Sequence, residues 1–229
     1  MSAGVLFARP TVRERVRSEE ESLPEVGGWN PEDFAREQIQ GLVRRVFFSN
    51  VERPVRQVVF SALDPETDVK SICRQVGEAL ALETAGGVAV VGKYPQALRD
   101  PDHCRSKNQD GSTSLRQTAT RLRANLWLVP AAEKDGGRRS TASLHAYQGA
   151  ICGEFEYSIL EGPPAGESNE ATSMAQFADG IILVLSASNT RRVVARKIKE
   201  MLDATQARVL GTVLTDRVFP IPERIYRRL

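Results

Sequence analysis

The chain has few of the residues that build the commonest catalytic and metal sites. Among its 229 residues are two histidines and three widely spaced cysteines, Cys73, Cys104 and Cys152, with no Cys-x-x-Cys pair. This pattern matches neither a zinc ligand set nor a disulfide framework, and it predicts reduced thiols in a cytoplasmic protein. A Gly-x-Ser-x-Gly elbow and a Gly-x-Gly-x-x-Gly run are also missing, which argues against a serine hydrolase and a dinucleotide-binding enzyme.

Long hydrophobic runs and a strong net charge are missing as well. The longest apolar run, residues 180–187, is far too short to cross a bilayer, and no signal-peptide pattern opens the chain. The formal net charge of +2 is too small to indicate nucleic-acid binding. We therefore predict a cytoplasmic protein without a nucleic-acid partner, one that reaches the inner face of the membrane only by docking on a membrane protein.

The order of apolar and amphipathic segments predicts the fold. Residues 1–30 are densely charged and lack apolar periodicity, which predicts a mobile tail before a single domain at 31–229. Strands are predicted at 56–62, 88–92, 126–130, 156–164, 180–188 and 208–216, and helices at 31–48, 68–85, 114–124, 141–152, 169–178 and 189–207. This alternation indicates βαβ units, hence a mostly parallel sheet in a three-layer α/β domain. Ligands of such sheets bind at the carboxyl ends of the strands.

The turn after the first strand, "DPETDVKS" at 64–71, lies where a phosphate-binding loop would lie. Its Lys70-Ser71 pair resembles the end of such a loop. However, Asp64, Glu66 and Asp68 place three carboxylates where a polyphosphate would have to fit, and no glycine is present to turn backbone N–H groups inward. We therefore favour an ordinary βα connection, with acidic residues at a helix N-terminus.

Three further stretches carry a family resemblance. They are "EQIQGLVRRVFF" at 37–48, "YSILEGPP" at 157–164, and "FADGIILVLSASNTRRVVARKIKEMLDATQARVLGTVLTDR" at 177–217. Over about 33–229 the chain resembles the cytoplasmic bacterial tyrosine kinases (BY-kinases) of the capsule and exopolysaccharide machinery, a branch of the deviant Walker-A ATPases. The resemblance implies a P-loop NTPase-like fold, with ATP or ADP and magnesium at the carboxyl edge of the sheet.

The phosphate-binding loop of this family reads approximately Ser-Ala-x-x-Pro-Gly-Glu-Gly-Lys-Ser-Thr. When this pattern is aligned without gaps on the chain from Ser61, only its proline is matched in the second half of the loop. In this preferred register Pro65 stands at the proline, Glu66 and Asp68 stand at the two glycines, and Thr67 lies between them. Val69 stands at the lysine, and Lys70 and Ser71 stand at the two hydroxyl residues. A one-residue shift instead places Lys70-Ser71 on the Lys-Ser pair, with Asp64 and Val69 at the glycine positions of the general loop.

Other family positions are also replaced. The second strand ends in Gly92-Lys93 rather than an aspartate, and the second acidic motif holds Glu161, followed by Pro163. Thr215 and Asp216 stand where an asparagine usually contacts adenine. The resemblance further implies an arginine fork for ring assembly and a tyrosine-rich tail, but Gln40 and Val43 replace the fork, and the final residues offer only Tyr226.

These departures lead us to expect a non-catalytic member that binds no cofactor and acts through protein partners. The resemblance implies a polysaccharide co-polymerase (chain-length regulator) or an active homologue as partner, and an oligomer is compatible with it. The alternative is an active ATPase or autokinase with a rebuilt site. In that case Lys70 contacts phosphate, Ser71 and Glu161 serve magnesium, and Tyr226 accepts phosphate. A third option is a different ligand in the crevice, bound without magnesium by Lys70 and Lys93.

Overall fold

The computed structural model describes residues 30–49, 52–94, 114–131 and 140–216. By internal contacts the chain divides into two units, and the larger, Ala35–Val218, contains the sheet. The smaller comprises Met1–Phe34 and Phe219–Leu229, and of it the structure describes residues 30–34, where the first helix begins. Apart from Asn30, the predicted tail at 1–30 lies outside the described residues, as does Tyr226.

Six helices and seven strands make up the described part of the chain. The helices are α1 (Pro31–Phe47), α2 (Val69–Glu83), α3 (Leu115–Thr118), α4 (Thr141–Glu154), α5 (Glu170–Phe177) and α6 (Arg192–Ala204). The strands are β1 (Gln57–Ala62), β2 (Val88–Gly92), β3 (Thr120–Arg123), β4 (Leu126–Pro130), β5 (Tyr157–Glu161), β6 (Gly180–Ser186) and β7 (Val209–Thr215). They form one sheet in the order β3-β4-β2-β5-β1-β6-β7.

The sheet is mostly parallel and is covered on both faces. All of its strand pairs are parallel except β3 with β4. Because side chains alternate along a strand, Val58 and Phe60 of β1 join a core with α1 and α2 on one face. Val59 joins a second core with α4, α5 and α6 on the other face. The predicted three-layer α/β architecture is confirmed.

One predicted element is wrong. Instead of a helix over 114–124, the chain forms the one-turn helix α3 and then the edge strand β3, antiparallel to β4. Contacts with Trp127 of β4 explain the change. Arg116 and Arg121 lie over its ring, with guanidinium carbons 4.8 and 5.5 Å from the ring centroid. This pairing with β4 outweighs the helix propensity of the segment.

The strand order brings four connections to one edge of the sheet. β1 lies between β5 and β6, and β2 lies on the far side of β5, so the carboxyl ends of all four strands are neighbours. The connection after β5 passes close to β1: the Gly162 N–H donates to Phe60 O (2.8 Å), and Ser61 Oγ donates to Pro163 O (2.6 Å). Across the described ranges, no helix is both long enough and apolar enough to cross a membrane.

Candidate functional site

A cavity of about 310 Å³ opens at the carboxyl ends of β1, β2 and β5. The lining is the βα turn between β1 and α2, together with the ends of the two neighbouring strands. It comprises Ala62, Asp64, Pro65, Glu66, Thr67, Asp68, Val69, Lys70, Lys93, Ala131, Glu161, Gly162, Pro163, Pro164 and Glu170. The cavity therefore lies at the edge where the sequence places a ligand, and most of the residues singled out from the sequence line it.

Asp64 organises the turn between β1 and α2. Its Oδ1 accepts hydrogen bonds from the Thr67 N–H (3.1 Å) and from Thr67 Oγ1 (2.7 Å). Its Oδ2 accepts one from Thr190 Oγ1 (3.2 Å), which in turn accepts from the Ser186 N–H at the end of β6 (3.0 Å). A single carboxylate thus closes the turn on itself and ties it to the neighbouring strand.

Asp68 caps α2. Its Oδ1 accepts from the Ser71 N–H (3.0 Å), which is an N-cap hydrogen bond. The neighbouring Thr67 is not the cap, because its side chain is already bound to Asp64. The Val69 N–H donates to Thr67 O (2.9 Å), so it also points into the turn's own backbone.

These bonds occupy the groups that a phosphate would need. A phosphate cradle presents backbone N–H groups to the ligand, usually through residues with positive φ. In this turn the N–H groups of Thr67, Val69 and Ser71 all have partners within the turn. Among the described non-glycine residues, positive φ occurs only at Gln206 and Asp216, neither of which belongs to the turn. The turn therefore offers a polyphosphate few donors.

The charge of the cavity has the wrong sign for an anion. Five carboxyl groups (Asp64, Glu66, Asp68, Glu161 and Glu170) face two ammonium groups (Lys70 and Lys93), a formal charge of −3 when all are ionised. Each like-charge contact at about 4 Å costs about 1 kcal/mol even in water. In this lining a magnesium nucleotide, which itself carries negative charge, would meet two cationic side chains, Lys70 and Lys93.

Glu161 lies over the glycine that ends β2. A Cβ at Gly92 would stand 2.2 Å from Glu161 Oε2, and the same oxygen accepts from the Lys93 N–H (3.3 Å). Burial raises the pKa of Glu161, although the Lys93 N–H and the charges of Lys70 and Lys93 act in the opposite direction. Gly92, which stands at the end of β2 in place of an aspartate, therefore leaves the space that the Glu161 side chain of β5 fills.

Lys70 lies on the Glu161 side of the cavity. Its Nζ is 5.2 Å from the centre of the Tyr94 ring, an arrangement typical of a cation–π contact. Burial raises the pKa of the Tyr94 hydroxyl, as does the nearby Glu161. Behind the turn, burial also raises the pKa of the Cys73 thiol, with Glu161 and Asp68 adding to the shift. Cys73 is therefore a neutral core residue and not a reactive thiol.

Three residues singled out from the sequence do not line the cavity. Ser71 Oγ accepts from Gln75 Nε2 (3.1 Å) on the next turn of α2. Thr215 and Asp216 lie at the end of β7, where Thr215 Oγ1 donates to Leu185 O (3.3 Å) and to Asp216 Oδ2 (3.2 Å). Within the described ranges, no group of three His, Cys, Asp or Glu residues is placed to hold a metal ion.

Sequence reasoning missed three contributors at this edge. Thr190 binds Asp64, and Glu170, at the start of α5, lines the cavity. Asn189 also reaches the turn, since its Nδ2 is 3.4 Å from Glu66 Oε2. The strand order is the signal that identifies Thr190 and Asn189, because β6 adjoins β1 and its carboxyl end must face the turn.

Solved structures with a similar fold include several kinase domains. The kinase domain of the Escherichia coli tyrosine kinase ETK superposes with a TM-score of 0.63 at 11% identity, covering 87% of this chain and 84% of that one. The VpsO kinase domain gives 0.60 at 16% identity, covering 82% and 98%. The chimerical protein CapA2B2 gives 0.59 at 17% identity, covering 89% and 90%. The chain has the fold of the bacterial tyrosine-kinase domains.

A similar fold is found in a ParA family ATPase, and the sequence similarity to tyrosine kinases is local. A ParA family ATPase from Chlorobium tepidum superposes on 69% of the chain with a TM-score of 0.53. The tyrosine-protein kinase CpsD of Streptococcus agalactiae serotype III (strain NEM316) is 35% identical over 65 residues, 28% of this chain. The match spans only 28% of the length of that curated relative. No protein-family model matches the chain.

Proposed function

We propose that this protein is a non-catalytic relative of the bacterial tyrosine kinases, acting as a regulatory or scaffolding partner in exopolysaccharide or capsule biosynthesis and export. One observation carries the proposal: the carboxylates of Asp64 and Asp68 accept hydrogen bonds from the Thr67 and Ser71 N–H groups of the turn that replaces the phosphate-binding loop. The turn supplies its own anions, and a bound phosphate would have to displace them.

The surrounding charges support the same conclusion. A nucleotide phosphate entering the cavity meets Glu66 and Glu161 as well as the two aspartates, and only Lys70 and Lys93 oppose them. Lys70 is already engaged with the Tyr94 ring. Rearranging these groups would sacrifice a helix cap, which is worth roughly 0.5–2 kcal/mol.

The proposed partner follows from the resemblance and from the fold. The fold is that of the tyrosine-kinase domains, so a protein partner of such a domain is the partner we propose, although Gln40 and Val43 replace the arginine fork of ring assembly. We therefore place it with a polysaccharide co-polymerase (chain-length regulator) or with an active homologue, in the cytoplasm at the inner face of the membrane. The local similarity to CpsD supports this direction.

Calorimetry and thermal shift with MgATP and MgADP test the proposal. We expect no heat of binding and no stabilisation at about 1 mM nucleotide. A dissociation constant of about 10 µM would instead stabilise the fold by about 2.7 kcal/mol at 1 mM ligand, and binding this tight would refute the proposal. An active tyrosine-kinase domain measured under the same conditions is the positive control.

The second candidate is an active ATPase or autokinase with a rebuilt site. It is favoured by the cavity itself, which has room for a ligand and contains Lys70, Lys93 and Glu161 on one side. Replacing Lys70 with Ala separates the two candidates, because a rebuilt site would lose most of its activity. Hydrolysis that is unchanged in Lys70→Ala comes from a contaminant or another site.

A further inference from the structure

The outer strand β7 presents an open backbone edge. It is the last strand of the sheet, and in the described part of the chain it pairs only with β6. Thr215 O faces β6, since it accepts from the Ala187 N–H (2.9 Å). Backbone groups alternate in direction along a strand, so the N–H and C=O groups of Thr212 and Leu214 face away from β6. Both residues are exposed, Leu214 to 57%.

A groove runs beside this edge, between α6 and the last two strands. Its volume is about 490 Å³. Leu183, Leu185 and Val209 form its apolar floor, and Arg192, Arg196 and Lys199 of α6 form its rim. Gly211 lies in the same lining, and a Cβ at this position would meet no atom within 4 Å. The groove thus has room for at least one apolar side chain.

The rim carries unbalanced positive charge. Lys199 is paired with Asp203 (Nζ–Oδ2 2.6 Å), but in the described ranges Arg192 and Arg196 make no ion pair and no side-chain hydrogen bond. Val193, beside them, is 79% exposed. Two unpaired guanidinium groups beside an apolar groove attract an acidic partner and repel a basic one.

We infer that β7 and α6 form a docking site for an extended, acidic segment of a partner protein. The segment adds to the sheet as a further strand on β7, places one apolar side chain in the groove, and directs carboxylates at Arg192 and Arg196. Strand addition takes its affinity from main-chain hydrogen bonds and its specificity from pockets for alternate side chains. An anionic lipid satisfies the charges but not the open N–H and C=O groups of the strand.

A model peptide tests this inference. The probe is a fluorescein-labelled seven-residue peptide, matched to the length of β7, with glutamate at positions 2 and 6, valine at position 4 and threonine elsewhere, so that the glutamates and the valine share one face of the added strand. Fluorescence anisotropy with the full chain should show saturable binding below about 1 mM. The same peptide with lysine in place of glutamate, and the glutamate peptide N-methylated at alternate amides, should each bind at least about tenfold more weakly.

Two pairs of variants locate the site. Arg192→Glu with Arg196→Glu should weaken peptide binding at least about tenfold, whereas Arg45→Glu with Arg123→Glu, the same charge change at other exposed arginines, should not. Leu214→Pro removes an outward N–H on an edge strand that tolerates proline, and it should abolish binding. Leu214→Ala keeps that N–H and should retain binding, apart from a small loss of apolar contact.

The outcomes separate this site from the proposed function on which it rests. Equal binding of the N-methylated peptide, or equal binding by Leu214→Pro, overturns strand addition. Failure of the glutamate peptide to bind overturns the docking site. It leaves the nucleotide test untouched, since that test concerns the acidic cavity at the carboxyl ends of β1, β2 and β5. Nucleotide binding together with peptide binding overturns the non-catalytic role and keeps the docking site.

Discussion

At the scale of single residues, Asp64 determines what the turn after β1 is able to do. Its carboxylate receives two donors from Thr67 and one from Thr190. The sequence showed that an acid stands at this position, and it predicted repulsion of phosphate. It did not predict that the acid would accept the Thr67 N–H of the turn itself, because the partners depend on the backbone path.

Removing this carboxylate should destabilise the fold. Asp64→Ala leaves Thr67 N–H and two hydroxyls without their acceptor, so we expect the free energy of unfolding to fall by about 1–3 kcal/mol. Urea denaturation followed by circular dichroism measures the change. Glu66→Ala is the matched control, because Glu66 is exposed and its one side-chain contact is 3.4 Å long. Equal stability of the two variants would contradict the role assigned to Asp64.

Glu161 should make stability depend on pH. Burial raises its pKa in the folded state, so the folded protein binds the proton more tightly than the unfolded chain does. Its contribution to the free energy of unfolding therefore falls as pH rises from the unfolded glutamate value, about 4.3, through the raised folded value. Glu161→Gln removes this penalty, and its stability relative to wild type should increase between about pH 4 and pH 7.

Denaturation midpoints of both proteins across this pH range test the expectation. Glu167→Gln, at an exposed glutamate of the following turn, is the control and should track wild type. A constant difference between Glu161→Gln and wild type at every pH would show that Glu161 has the same pKa in the folded and unfolded states.

At the scale of elements, the sequence predicted the parallel strands well and the segment before β4 badly. β1, β2 and β6 are runs of buried apolar residues bounded by turns, and such runs signal a parallel sheet directly. β3 is a half-exposed strand of four residues, Thr120–Arg123. Its identity depends on pairing with β4 and on the stacking of Arg121 over Trp127, and neither contact is visible in a local pattern.

The end of α2 depends on a side chain from a distant turn. Asn125 Nδ2 donates to Ala81 O (3.0 Å) and to Thr84 O (2.8 Å), which are carbonyls at the end of that helix. Glycines commonly follow helices, and Gly86 and Gly87 lie just beyond this one, but neither is its cap. The C-cap of α2 is Thr84, in an extended conformation. Asn125, which lies in the turn between β3 and β4, binds its carbonyl.

Asn125→Ala should therefore lower the free energy of unfolding by about 1–3 kcal/mol, since it leaves two helix-end carbonyls without a donor. Asn125→Asp has nearly the same shape but no donor and a negative charge beside those carbonyls, so it should be at least as destabilising. Asn189→Ala, at an exposed turn, is the control. Wild-type stability of Asn125→Asp in urea denaturation would show that shape, and not hydrogen bonding, is what matters here.

At the scale of the whole molecule, the fold resembles that of the kinase domains, but the turn at the carboxyl edge of the sheet does not resemble a phosphate-binding loop. The chain superposes on kinase domains over more than four-fifths of its length, yet its β1–α2 turn is closed by its own carboxylates. The sheet positions a cavity for a ligand, and a few side chains set its charge. A small number of substitutions should then be enough to change what the cavity binds.

A graft of the family loop tests this separation. The variant carries Glu66→Gly, Thr67→Glu, Asp68→Gly, Val69→Lys, Lys70→Ser and Ser71→Thr. It removes the hydrogen bonds that Thr67 Oγ1 donates to Asp64, the Ser71 N–H to Asp68 and Asn189 to Glu66. It also returns two glycines that permit inward N–H groups, and it places a lysine at the first turn of α2. We expect the variant to bind MgADP weakly. A dissociation constant of about 0.2 mM would raise the free energy of unfolding by about 1 kcal/mol at 1 mM ligand.

Thermal shift and calorimetry detect binding of this strength, and wild type measured alongside should show none. The same graft without the lysine, keeping Val69, is the matched control and should lose the effect, because the glycines alone supply no positive charge. Folded grafts that bind no better than wild type would show that the obstacle lies outside the turn. Glu161, which occupies the space above Gly92 and lines the same cavity, would then be the next residue to change.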